Sequence, residues 1–310
     1  MYECFNRCSY CNFRVDPGDQ PWIGLEDVEK CLQKLQKTGI SEILVLAGEV
    51  HPKSDRRLDW LKHIYTICEF SLSYGFLPHT NVGPLSFEEM ALLKSVNVSM
   101  GLMLEQVTPD LLQTVHRHAP SKDPTLRLQQ LEWAGKLNIP FTTGVLFGIG
   151  ETEQDWLDSL EAIAQIHGKW GHIQEVILQP YSPGTKEKMQ GLGFSLAKLP
   201  KVVAIARRIL PSDITLQIPP NLVQQPDILL ACLEAGARDL GGISPIDEVN
   251  PDYPHIQAET LRGILQPAGW TLQERLPIYP RYEDWLSPTL RESVQHHRDR
   301  LLQLHDPALP

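Results

Sequence analysis

The chain has 310 residues, 42% of them hydrophobic, enough for a large folded core in one barrel or about two smaller domains. Its 28 basic and 38 acidic side chains give a formal charge of -10 with no Lys/Arg run, which argues against nucleic acid as a partner. No apolar stretch approaches the ~20 residues that span a bilayer, and no charged leader precedes an apolar core, so a cytoplasmic protein with no membrane partner is expected.

Cys4, Cys8 and Cys11 open the chain, with three and then two residues between them. Four thiolates would complete a structural zinc site or a ferredoxin-type cluster. Three suggest a cluster with one iron left open, and an open position is where a metal site does chemistry. The competing reading is a zinc knuckle completed by His51 or Cys31. Cys31 shares an apolar helical stripe with Val28, Leu32 and Leu35 and is expected in the core, as are Cys68 and Cys232. Disulfides are not expected.

Beyond the cysteine loop, helical periodicity over residues 25–37 leads to a strand-like run at 43–46. Then come helix 58–74, strand 76–81, helix 86–95, strand 98–104, helix 125–137, strand 141–147 and helix 153–167. Strand 173–179, helix 196–210, strand 214–218, helix 222–235 and a weaker strand at 240–243 follow. Gly39, Gly75, Pro140 and Pro211 mark junctions. Such repeats imply parallel strands with right-handed crossovers, in a closed or partial (β/α) barrel or an open doubly wound sheet. In either, chemistry gathers at the C-terminal strand ends. From about Gln273 the spacing changes to Leu276-Pro277-Ile278-Tyr279-Pro280, then a polar helix over 289–305. The expected division is a barrel over 1–280 and a helical tail over 281–310 on its outside. Only Met1, Tyr2 and Glu3 precede Cys4. Either the barrel lacks its first strand or the natural chain starts upstream; the second is expected.

The cysteine spacing, with Tyr10 before Cys11, resembles the radical S-adenosylmethionine superfamily. That resemblance implies a TIM-like barrel and a 4Fe-4S cluster held by Cys4, Cys8 and Cys11. S-adenosylmethionine would take the fourth iron, and its reductive cleavage would release a 5′-deoxyadenosyl radical. Ala47-Gly48-Glu49 resembles the superfamily's Gly-Gly-Glu, although Ala47 departs from its first glycine. Gly144 to Glu151 resembles its Gly-x-Ile-x-Gly-x-x-Glu, with Leu146 at the isoleucine. The implied cofactor-binding set is Tyr10, Gly48, Glu49, Gly144, Leu146, Gly148 and Glu151. As a dinucleotide fingerprint the same tract fails, since Glu153 replaces the third glycine.

Further blocks look like the deazaflavin (FO) synthase subunit family, across the chain to about Pro280. They include Pro78-His79-Thr80-Asn81, Ser99 to Glu105, His172 to Val176, Gln217 to Leu222 and Gly241-Gly242-Ile243-Ser244-Pro245. The resemblance implies a carbon–nitrogen lyase. Its substrate would be the hydroxybenzyl-ribityl-uracil made by a sister radical subunit. The reaction would close the ring to 7,8-didemethyl-8-hydroxy-5-deazariboflavin and release ammonia, 5′-deoxyadenosine and methionine. The alternatives are that sister subunit, a menaquinone-pathway relative, or a non-catalytic metal-binding module.

From the residues alone, His79, Thr80, Asn81, Glu105, Gln179, Tyr181, Gln217, Asn221 and Ser244 are polar groups near predicted strand ends, suited to a substrate rich in donors and acceptors. His79, Glu105 and Gln217 are the expected catalytic residues, with His79 as proton acceptor because imidazole titrates near neutrality. His116, His118, His296 and His297 are expected on solvated helices. Arg7, Arg14, Lys53, Arg56 and Arg57 form an expected basic patch for an acidic flavodoxin or ferredoxin reductant.

Overall fold

The computed structural model describes residues 1–189, 191–243 and 247–305, so Ser244 lies outside the described residues. Six parallel strands form one sheet in chain order: β1 Glu42–Leu46, β2 Leu77–Asn81, β3 Ser99–Gly101, β4 Phe141–Phe147, β5 Ile173–Pro180 and β6 Thr215–Gln217. Helix α1 Leu25–Leu35 precedes β1, and the crossover helices are α2 Arg57–Ser73, α3 Phe87–Lys94, α4 Pro124–Lys136, α5 Glu153–Trp170 and α6 Leu199–Ile209. They are followed by α7 Pro226–Glu234, α8 Ala258–Leu265 and α9 Pro288–His305. Sequential order with every crossover winding the same way is the rule of a barrel, and among the described residues β6 and β1 do not pair. The barrel is partial.

Two predicted strands shrink. The 98–104 run keeps only three residues in β3, because the chain turns out of register toward Glu105, which holds φ 65°. At 240–243 only the Gln217–Asp239 bridge forms, as Gly241 turns away with φ 71°. Helix boundaries follow local chemistry. Reciprocal Ser86/Glu89 and Thr152/Asp155 boxes start α3 and α5, and left-handed Gly171 ends α5.

The register divides the strand residues between two faces. Val45, Met100, Phe141, Val145, Phe147, Val176, Leu178 and Leu216 face outward into the main apolar core with the helices. The inward positions mix apolar Leu46, Leu146 and Ile177 with small or polar residues: His79 and Asn81 on β2, Ser99 and Gly101 on β3, Thr142 and Gly144 on β4, Glu175 and Gln179 on β5, Gln217 on β6. Cys68 and Cys232 are buried as expected, but Cys31 is exposed. On α1 the buried positions are Val28 and Leu32, one turn apart, and Cys31 falls off that line.

The end of the chain does more than cover the outside. Leu276, Ile278, Tyr282, Leu286, Leu290 and Val294 form one apolar cluster with Leu77 and Val98, at the N-terminal ends of β2 and β3. Pro277 O accepts from Ser99 Oγ at 2.5 Å and Gln174 Nε2 at 3.0 Å, which seals the barrel floor. The division expected at residue 280 falls inside that cluster. His297, expected in solvent, is buried and bonds Gly75 O at 2.7 Å.

Candidate functional site

The cysteines ride on a loop closed by a Glu3–Val15 bridge and by Cys4 N donating to Val15 O at 3.1 Å. That loop rests on the end of β1. A Cβ at Gly48 would stand 2.2 Å from Glu3 O and 2.7 Å from Cys4 Cβ, so a glycine is what lets the two segments meet. Phe5 N donates to Glu49 O at 3.0 Å, and Cys11 N to Cys8 O at 3.2 Å turns the loop back. All three cysteines line one cavity of about 210 Å³ at the C-terminal ends of the strands.

Beside the cysteines lies an ionic network. Glu49 Oε2 accepts from Asn6 Nδ2 at 2.9 Å and from Ser121 Oγ, and Oε1 faces Arg127 Nη2 at 3.5 Å. Arg127, buried on α4, also donates to the carbonyls of Ser121 and Met103. Glu105 pairs with Lys122 at 2.5 Å, and both are largely buried. Burial alone would raise the Glu105 carboxyl, but Lys122 and Arg127 outweigh it and hold the pKa below the usual range. Glu105 is therefore a fixed anion in left-handed backbone, a costly conformation for a non-glycine residue. Tyr10 OH bonds His116 Nε2 at 2.9 Å. His116 is thus buried beside the cysteine loop, and burial, then Lys122, drives its pKa down to about 3.

Cys4, Cys8, Cys11, Tyr10, Gly48, Glu49, Glu105 and Leu146 all line the cavity, as do Asn81, Gln179 and Tyr181. Five expected site residues do not. Glu151 binds the N–H groups of Gly148 and Ile149 and Trp156 Nε1 at 2.6–2.8 Å, which caps the turn into α5. Gly144 lies lower in the barrel, where a Cβ would meet Met103 Sδ at 2.5 Å. His79 bonds Ser99 Oγ at 2.6 Å near the floor, and burial, then Arg275, lowers its pKa to about 3. The ring is therefore uncharged near neutrality and a weaker base than a free imidazole. Gln217, its amide turned to donate to both Glu175 oxygens at 3.1 and 3.2 Å, belongs to a floor cluster with Arg275 and Asp239.

Asn6, Ser121, Lys122 and Arg127 were missed from sequence. Arg127 did carry a signal: it falls on the same helical stripe as Leu131 and Ala134, a charge at a core position.

Four of the five residues of the expected basic patch hold ion pairs, while Lys53 is exposed. Arg57 is buried over Trp60 and pairs with Glu89 at 2.7 Å, Arg56 takes both oxygens of Glu3, and Arg7 and Arg14 share Asp16. A different set surrounds the loop's outer surface. Exposed Lys186, Lys188 and Arg117 sit on segments whose neighbours bond Ser9 and Arg7: Lys188 N to Ser9 O at 2.9 Å, and Arg7 N to His118 O at 2.7 Å.

The donor set fits a cluster better than a single ion. Among the described residues no three His, Cys, Asp or Glu side chains are grouped to hold one metal ion. His51 is occupied against Phe5, with ring centroids 5.0 Å apart, and Cys31 is on α1. Three separate thiols on one cavity wall suit a polynuclear cluster, each taking one corner.

The sequence profile of the Radical SAM superfamily matches residues 1–163. The chain is 63% identical over 301 residues to the 7,8-didemethyl-8-hydroxy-5-deazariboflavin synthase of Trichormus variabilis, covering 97% of this chain and 88% of that one. It is 62% identical over 300 residues to the protein of the same name from Trichodesmium erythraeum, covering 97% and 94%. Among solved structures it resembles the FeFe-hydrogenase maturase HydG from Carboxydothermus hydrogenoformans. That match has a TM-score of 0.73 at 19% identity and covers 98% of this chain and 76% of that one, a likeness of fold.

Proposed function

Because the chain belongs to the radical SAM superfamily and, within it, to the 7,8-didemethyl-8-hydroxy-5-deazariboflavin synthase family, we propose that it cyclises the hydroxybenzyl-ribityl-uracil intermediate to that deazaflavin with loss of ammonia. The observation that carries this reading is the placement of Cys4, Cys8, Cys11, Glu49 and Glu105 around one cavity at the strand ends.

Cys4, Cys8 and Cys11 would hold a 4Fe-4S cluster. Bound together, cluster and S-adenosylmethionine supply a one-electron cleavage that generates an adenosyl radical. The remaining work belongs to side chains of this chain. Glu49, fixed by Asn6 and Ser121, presents a carboxylate to an ammonium, and Arg127 beside it presents a guanidinium to a carboxylate. Glu105, anionic and clamped by Lys122, accepts hydrogen bonds from hydroxyls. Leu146 and Tyr10 provide apolar surface for a base. Asn81, Gln179 and Tyr181 offer donors and acceptors to the uracil and ribityl groups deeper in. His79 and Gln217 act from the floor, as neutral hydrogen-bonding groups.

The substrate is supplied by the sister radical subunit, as a complex or by diffusion, and the electron by a flavodoxin or ferredoxin. We place the protein in the cytoplasm, where thiols stay reduced; no described helix is long and apolar enough to cross a membrane. The test is anaerobic reconstitution followed by the preformed intermediate, with the fluorescent deazaflavin as readout. Product from tyrosine plus aminouracil alone would assign the preceding step instead.

A further inference from the structure

We propose that Asn12 is a positioning residue that clasps the cysteine loop to two loops roofing the same cavity, so that the reaction space closes around the bound cofactor. This rests on the radical-enzyme reading above.

Asn12 follows Cys11 directly and is 8% exposed. Its Nδ2 donates to Asp252 Oδ2 at 2.9 Å, and its Oδ1 accepts from Lys186 N at 2.7 Å. Asp252 also accepts from Thr185 N at 2.7 Å and Thr185 Oγ1 at 3.0 Å, while Tyr253 OH donates to Pro183 O at 2.8 Å. Residues 182–189 and 247–253 are thereby tied to each other and to the cysteine loop, where the Asn12 side chain is the one link that joins both, beside Lys188 N and Met189 N on Ser9 O. Ser182 from the first and Val249 and Asn250 from the second line the cavity with the three cysteines.

The seat is shaped for that amide. A Cβ at Gly184 would lie 2.4 Å from Asn12 Cγ and Nδ2. A carboxamide donates and accepts at once, which the site requires and neither alanine nor aspartate can supply. Radical chemistry needs a space closed to water and to competing hydrogen donors. A roof anchored on the loop that holds the cofactor closes where that loop is ordered, which links loading to closure.

The test uses the full chain, reconstituted anaerobically, and reads 5′-deoxyadenosine formed per deazaflavin formed. Asn12→Ala should raise that ratio about ten-fold, the worth of one charge-assisted hydrogen bond, with iron content unchanged. Asn12→Asp, which sets two carboxylates face to face, should raise it further, and adding Asp252→Asn should recover most of that extra loss. Thr185→Val, remote in sequence from the cysteines, should show the same pattern at smaller size. Hydrogen exchange of 182–189 and 247–253 should quicken in each single variant except Asp252→Asn, whose amide still accepts from Asn12. Unchanged exchange with an unchanged ratio overturns the clasp. So does lost iron binding with wild-type exchange in both loops, since Asn12 would then support the cysteine loop alone. If the wild-type chain makes no deazaflavin, the functional reading fails while the exchange data still decide the clasp.

Discussion

Replacing Glu175 with glutamine should flatten the fall of stability with rising pH. Glu175 points inward from β5, buried, with Arg275 Nη2 at 2.9 Å, and Asp239 shares the same guanidinium. Burial is the largest influence on the carboxyl. Arg275 opposes it and Asp239 reinforces it, and the pKa is pushed from 4.5 up to about 8. One guanidinium between two buried carboxyls leaves one of them protonated, and Asp239, which also accepts from Gly241 N and Tyr279 OH, is the one held as the anion.

The sign follows from which state holds the proton. The native chain keeps it on Glu175 where the unfolded chain has released it. The contribution is therefore complete below about pH 4.5 and is lost as pH climbs toward 8. Each pH unit inside that window is worth at most ~1.4 kcal/mol. From about pH 6.5 to 8 the ceiling is ~2 kcal/mol, and proton sharing with Asp239 brings it nearer ~1 kcal/mol, roughly 2 °C in a melt of a chain this size. Glutamine keeps the shape and still accepts from Arg275. Thermal melts of both proteins across that range should diverge by this amount, and taking their difference cancels every other titrating group. Parallel curves would mean that Glu175 is ionised and fully paired, and the argument from burial would be wrong.

Cys8→Ala should abolish iron uptake on anaerobic reconstitution, while Cys31→Ala, exposed on α1, should load iron normally; equal loss from both would point to a zinc-knuckle arrangement. Gly144→Ala places a methyl 2.5 Å from Met103 Sδ and 2.7 Å from Ile177 O, so overpacking should cost ~1–3 kcal/mol and reduce product formation. A wild-type melting temperature in that variant would show that Met103 yields freely. Arg57→Glu should destabilise by ~3–5 kcal/mol, because Glu89 is left beside a second buried carboxylate; denaturant titration measures it, and a loss under 1 kcal/mol would contradict the burial. Lys186→Glu with Lys188→Glu should slow reduction by flavodoxin and spare reduction by dithionite, whereas slowing of both would remove the docking role.

Sequence reading succeeded where the physics is local and failed where it is not. The seven residues of β4 announced themselves as an apolar run between a proline turn and a glycine, and they are buried on both faces. The cysteines and Gly48 were legible because they sit on two short strings whose meeting needs only one glycine. Ser121 and Lys122 occupy a three-residue turn with no periodicity, and their partners lie on other segments, Asn6 and Glu49 for one and Glu105 for the other. No local pattern carries such contacts. The sequence around His116 has the look of a solvated helix, but the turn at 114–119 folds onto the cysteine loop through Ser9 N to Val115 O, and that long-range contact buries the ring.

The inward face also explains why the late strands were hard to read. An ordinary barrel of this kind fills its interior with bulky branched side chains, so both faces of each strand read as apolar. Here the interior positions include Gly101, Gly144, Thr142, Gln179 and Gln217, which weakens the pattern of β3 and β6 and leaves room inside. At Gly101 a Cβ would come within 2.9 Å of His79 Nε2, so glycine there keeps the imidazole upright in the lumen. A hollow interior gives up packing that would hold six short strands together. The segment from Arg275 to Val294 restores part of it from below, with its apolar cluster against Leu77 and Val98 and its guanidinium between Glu175 and Asp239. The floor therefore belongs to the barrel's stability, and removing the last thirty-odd residues should unfold the sheet rather than trim a tail.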